Sequence, residues 1–382
     1  MNSKHQAQAS KFMLFLVAFF IASSIALELV AIIFESIGVG GAFFSSLWFM
    51  IIAQVVRLIL PMFIWMKLRG EKFEAHMPRQ PIDGMNALYV VIITACAIPV
   101  AMFISGISNF FADNDVAEML GSLSDAGNSW IMMMLAVAVT PGIVEEVVFR
   151  GYLQSLQKGS IHKIAVFNGF LFGIMHLNLH QFLYTFALGV LFAYIVYYTR
   201  SIWMGILSHF IVNGSQVTFM HMTLRSLAAL GEQEGEPLTF AQQIYDIYVD
   251  IDPALAQSLY NFFNNISEEL LAVGIISVFA IGAGIAGGFV LRAFIKHNVH
   301  RNAIVDAMTR EHQKITAEGD IPMFEMHPRD YKSFEVYSAL HGVDGRELMP
   351  RHTDEAGEGA INYSLIAVIL IYLLFTIILP LL

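Results

Sequence analysis

Charge is scarce in this sequence. Only 14% of its 382 residues are Asp, Glu, Lys or Arg, 57% are hydrophobic, and the mean hydropathy is +0.63. A soluble globular domain carries about 25% charged residues, so a water-soluble enzyme is excluded. Basic residues are scarcer than acidic ones, 21 against 31, for a net charge of −10. That balance excludes a nucleic-acid binder, which needs a basic face to neutralise phosphates. Cysteine is nearly absent: Cys96 stands alone in an apolar run, which excludes an intramolecular disulfide framework, a CxxC redox site and a cysteine-rich zinc site. There is no HExxH, and no internal repeat marks the inverted halves of a transporter.

What the sequence has instead is long apolar runs at the length a bilayer demands, about 20 residues at roughly 1.5 Å each. Eight or nine are expected to span, over approximately 12–34, 42–66, 86–110, 129–157, 164–180, 182–199, 202–222, 270–294 and 361–382. The first run exceeds the apolar region of a signal peptide and no small-residue cleavage site follows it, so a retained span is expected. The expected fold class is an all-α polytopic membrane protein with its site in a cavity within the helix bundle. By region, 1–128 would hold N-terminal spans, 129–222 a core, 223–269 an outer acidic segment, 270–295 a span, 296–360 an inner segment of mixed charge, and 361–382 a final span.

Lys and Arg near span ends are retained on the cytoplasmic side, and here they alternate with the connections. Lys4 and Lys11 precede the first span; Lys67, Arg69, Lys72 and Arg79 follow the second; Lys158 and Lys163 follow the fourth; Arg200 follows the sixth; Arg292, Lys296 and Arg301 follow the eighth. The remaining connections are acidic, with Glu35, then Asp113, Asp115, Glu118 and Asp125, then Glu232 through Asp252. A cytoplasmic N-terminus is expected, in a multi-pass protein of a bacterial cytoplasmic membrane.

Ionisable groups inside a span cost about 2.5–3.5 kcal/mol each on insertion scales, which makes each one a functional candidate. They are Glu28, Arg57, Glu145, Glu146, Arg150, His176 and His209, with Asn213 as an uncharged companion. Counting from Lys158, Lys163 and Arg200, three separate spans place Glu145, His176 and Asn213 each 13 residues deep, about 20 Å along a helix. Glu146 and Arg150 are four apart and can pair; Glu145 lies about 100° around the same helix, free for another partner. His209 and Asn213 are likewise four apart. Thr140-Pro141-Gly142 is expected to loosen the helix ahead of the glutamates. Taken singly, each has a plainer reading: a glutamate pair as an ion-pairing device, His176 as a hydrogen-bonded core histidine, His180 as an interfacial one, Arg57 as a snorkelling side chain set too far in depth from Glu28 to pair with it.

Glu145-Glu146-Val-Val-Phe-Arg150, Phe172-Gly-Ile-Met-His176 and His209-Phe-Ile-Val-Asn213 resemble the EExxxR, FxxxH and HxxxN motifs of the CAAX prenyl endopeptidase and bacteriocin-processing family, also called the Abi family. The resemblance covers roughly residues 129–215, in order and with spacing intact. It implies an intramembrane endopeptidase acting on membrane-embedded, lipidated or leader-bearing peptides in the lipid bilayer. Within that pattern Glu145 and His176 hold and deprotonate a water, His209 and Asn213 donate to the oxyanion, and Glu146 and Arg150 fix the helix. Members are commonly labelled metalloproteases, and Glu145, His176 and His209 are the set that would bind zinc if a metal takes part. Two other classes stay open at this point: a non-catalytic immunity or regulatory protein of the same family, and a transporter or proton relay using the buried carboxylates.

Overall fold

The computed structural model of the chain describes residues 3–38, 41–44, 46–231, 239–318, 363–374 and 376. Among these there is no strand, only an isolated antiparallel bridge between Arg79 and Ser201. The chain is an all-α polytopic membrane protein. Its helices are α1 (Ser3–Ser36), α2 (Leu47–Leu68), α3 (Gly84–Ser108), α4 (Asp115–Asp125), α5 (Trp130–Leu153), α6 (Ile161–Met175), α7 (Leu179–Thr199), α8 (Ile202–Gly231), α9 (Phe240–Tyr248), α10 (Pro253–Asn264), α11 (Glu268–Glu318) and α12 (Tyr363–Leu373). Six of them, α1, α2, α3, α5, α7 and α11, hold a stretch long and apolar enough to cross a bilayer; α6 is apolar but shorter. Much of the ninth expected span lies outside the described residues.

Large apolar side chains lie on the outside, as lipid requires and water would not permit. On α11 alone Val278, Phe279, Ile281, Ile285 and Phe289 are all more than half exposed. The eighth expected span is the first half of a much longer helix, whose last turns run past the apolar stretch.

The buried part of the bundle is built around α5. Its Val144, Val148, Phe149, Tyr152 and Leu153 pack with Phe12 and Leu16 of α1, Leu58 and Met62 of α2, Leu171 and Phe172 of α6, and Val368 and Tyr372 of α12. Helices α6 and α7 form a hairpin whose axes approach closely at two glycines. A Cβ on Gly169 would lie 2.8 Å from the Phe186 carbonyl, and one on Gly189 would lie 2.9 Å from the Gly169 Cα. Such small-residue crossings let membrane helices gain van der Waals contact where no hydrophobic force separates protein from lipid. Leu177, in the turn of this hairpin, has φ +47°, a left-handed conformation that side chains with a Cβ rarely adopt.

Helix α5 is not a uniform α-helix. It widens into π-helical turns over Met134–Val139 and Val147–Leu153, on either side of an α segment, Thr140–Glu146. The loosening expected around Pro141 is therefore present. Such π turns occur often at functional sites.

Candidate active site

The wide turn of α5 leaves carbonyls without their usual donors. Thr140 gives its N–H to Leu135 instead of Ala136, and Gln54 of α2 donates Nε2 to the Ala136 carbonyl at 3.1 Å. Pro141 has no N–H for Val137, and Asn213 of α8 donates Nδ2 to that carbonyl at 3.0 Å. Two neighbouring helices thus satisfy the backbone just before the glutamates, as a dry interior demands.

Glu146 is fully buried. Its Oε1 accepts from Arg150 Nη1 at 2.9 Å and from His209 Nδ1 at 3.0 Å. The Arg150 guanidinium donates its other arm to the Gly189 carbonyl at 3.2 Å. It lies 4.2 Å from the ring centre of Phe172 and 5.2 Å from that of Phe192, a cation held over aromatic faces. His209 stacks on Phe192 and meets Phe172 edge-on. The carboxylate expected to fix its own helix therefore also fixes the histidine of another helix. With Nδ1 engaged on Glu146, the free nitrogen of His209 is Nε2, which lies 3.9 Å from Glu145 Oε2.

Glu145 points the other way round the helix, as its 100° offset requires. It lines a cavity of about 400 Å³ together with His176, His209, Asn213, Phe172 and Tyr184. Its Oε2 is buried and has no hydrogen-bond partner among the described residues. His176 caps the end of α6 and directs Nδ1 to the Phe172 carbonyl at 2.8 Å, which leaves Nε2 as its second nitrogen. The common depth read from the sequence is thus a common location: Glu145, His176, His209 and Asn213 share one cavity wall, and Glu146 and Arg150 lie behind it.

The conditional zinc set does not fit this geometry. Among the described residues no three His, Cys, Asp or Glu side chains are grouped so as to hold a metal ion. No step below is routed through a metal.

His180 lies at a helix end, as expected of an interfacial residue, but faces inward. It is 1% exposed and bonds to Asn109 at 2.7 Å, tying α7 to the end of α3. Arg57 lies over the ring of Phe20, 5.5 Å from its centre. Sequence reasoning missed Gln54, and it missed Gly205, where a Cβ would lie 2.7 Å from Glu146 Oε2. A lone glutamine or glycine in an apolar helix carries no motif by which to find it.

The order of these groups along the chain can now be compared with known proteins. Residues 127–215 match the family described as Type II CAAX prenyl endopeptidase Rce1-like. This segment is an Rce1-like domain. The match spans α5 to the middle of α8 and includes every residue of the cavity wall just described. No curated protein and no solved structure matches the chain. The family's description is that of a prenyl endopeptidase, a peptide-bond hydrolase.

Proposed function

We propose that this chain is an intramembrane endopeptidase that hydrolyses a peptide bond with a water activated by Glu145. The observation that carries this reading is the convergence of Glu145, His176 and His209, from three helices, on one cavity wall. Glu145 Oε2, which has no hydrogen-bond partner among the described residues, accepts a proton from the water, and His176 Nε2 orients that water. As hydroxide adds to the scissile carbonyl, negative charge develops on its oxygen. Asn213 has a second amide hydrogen to give there, the first being committed to Val137. His209, held at Nδ1 by Glu146, presents Nε2 to the same oxygen. When the tetrahedral intermediate collapses, the C–N bond breaks and Glu145 returns the proton to the leaving nitrogen. Substrates are membrane-associated peptides, lipidated or CAAX-like or leader-bearing.

The test compares the N- and C-termini of membrane proteins in cells carrying the wild type and cells carrying Glu145→Ala. Termini present only with the wild type are expected. If none differ, while the variant rescues a deletion as well as the wild type does, the chain is a binding or immunity protein and the enzyme reading is wrong.

A further inference from the structure

The cavity is closed on one side of the bundle and open on the other. Behind Glu145 stands the fully buried layer of Glu146, Arg150, Phe149, Phe172 and Phe192. Beyond that layer a second crevice begins, lined by His76, Met77, Gly151, Gln154 and Arg200. It reaches Arg150 but contains none of Glu145, His176 and His209. The Met77 side chain fills the place that a Cβ on Gly151 would take, and plugs that side. The cavity instead extends to Met50 and Gln54 in the first half of α2, Gln181 and Tyr184 at the start of α7, and Asp115, Val116 and Met119 of α4. Helix α4 is amphipathic and lies across the mouth, its Asp115 bonded to Asn178.

The two sides differ sharply in charge. The side of the plugged crevice is knit into one surface by contacts between distant connections: Tyr152 to Glu71, Gln80 to Arg200, Arg200 to Asp306, and Asn86 to Asn298. On it lie Lys11, Lys67, Arg69, Lys72, Arg79, Lys158, Lys163, Arg200, Lys296 and Arg301. On the side of the mouth the described connections and helix ends carry Glu35, Asp113, Asp115, Glu118, Asp125, Asp246, Asp250 and Asp252, with Arg225 as their one Lys or Arg. Basic residues in short connections mark the cytoplasmic side.

We infer that the cavity opens to the non-cytoplasmic face, so that the peptide cleaved is a segment exposed or emerging there; among the substrate classes proposed above this selects membrane-embedded and leader-bearing peptides over CAAX-like tails that end in the cytosol. This rests on the endopeptidase reading for what happens in the cavity, but the direction of opening can be measured without any catalysis. In the full chain with Cys96→Ser, single cysteines are placed at Met119 and Gln181 in the mouth, at Asp125 as an outer marker and at Lys158 as an inner one. A membrane-impermeant maleimide is then applied to right-side-out and to inverted membrane vesicles. Cysteines 119, 125 and 181 are expected to label only in right-side-out vesicles, and cysteine 158 only in inverted ones. Labelling of the mouth positions in inverted vesicles, or in neither preparation, overturns the inference. Glu145-dependent termini are expected in non-cytoplasmic segments of their parent proteins, and cytosolic ones overturn it too. If labelling runs as expected and no Glu145-dependent terminus exists, the endopeptidase reading fails while the direction of opening stands.

Discussion

Glu145 and Glu146 are neighbours in sequence and opposites in environment, and their substitutions should separate accordingly. Glu146 neutralises a buried arginine and holds a buried histidine, so Glu146→Gln leaves an uncompensated cation in a dry core, a change that costs about 3–5 kcal/mol. Its abundance in membranes and its unfolding temperature in detergent should both fall. Glu145→Gln breaks no hydrogen bond within the protein, so this variant should match the wild type in abundance and unfolding temperature yet release no cleavage product. Equal loss of stability in the two would contradict the assignment of roles. Gly205→Ala should behave like Glu146→Gln, because the added methyl meets Glu146 Oε2 at 2.7 Å and Val196 Cγ2 at 2.6 Å, and neither has room to withdraw. Normal abundance of Gly205→Ala would show that the helices can part. Five of the motif residues were legible in the sequence because an ionisable group in an apolar run is costly and therefore conspicuous, and Asn213 because it stands four residues from His209. Gly205 and Gln54 were not, since their contribution exists only where a neighbouring helix passes.

Among the elements, the connection from Arg69 to Asp83 acts as a clip on the C-terminal end of α5. Glu71 accepts from Tyr152 at 2.6 Å and from Arg69 at 2.7 Å, and His76 bonds to Ser155 at 2.6 Å. Burial pushes the Glu71 carboxyl up, but the Tyr152 and Arg69 hydrogen bonds outweigh it and leave the group below its ordinary value. Burial pushes His76 down, against the attraction of Glu71. Both folded-state values therefore lie below those of the unfolded chain, which takes up the proton first as the pH falls. The stability that Glu71 contributes is complete above its unfolded value of about 4.3 and is lost as the pH falls through the depressed one, while burial of neutral His76 begins to cost stability below about pH 6.5. Unfolding temperature in detergent should therefore decline in two stages, one below about pH 6.5 and one below about pH 4.3. Glu71→Gln should remove the lower stage and His76→Asn the upper. A flat profile in the wild type would show that the clip does not hold α5. Nothing in the sequence pointed to this clip, because its partners are some 80 positions apart; the kink at Pro141 was legible because a missing N–H acts locally.

For the molecule as a whole, the Rce1-like segment is about a quarter of the chain, yet it does not enclose its own cavity. Gln54 of α2 satisfies the Ala136 carbonyl, Val116 and Met119 of α4 form part of the mouth, and Thr94 of α3 bonds to Ser208, next to His209, at 2.6 Å. Helix α3 is in turn braced by α11 through Phe294 and the buried Asn86–Asn298 bond. Eight or nine spans were expected, and six of the described helices hold a stretch long and apolar enough to cross. Hydropathy alone made the approximate positions of these six legible, since length and apolarity are properties of each run by itself. Which span lies against which was not, because in lipid almost any apolar face can meet another, and the choice is made by a few small residues and buried polar pairs. It follows that residues 127–215 should fail as a separate unit. Expressed alone in membranes, the segment would leave the Ala136 carbonyl and the Ser208 hydroxyl without partners and His209 beside an open wall. It should be degraded or aggregate on gel filtration in detergent. The full chain should run as a single species, and Gln54→Ala should lower its cleavage rate without removing the protein from the membrane. A monodisperse, active 127–215 fragment would mean that the surrounding helices only shelter a self-sufficient core, and that the bonds from Gln54 and Thr94 are incidental to the chemistry.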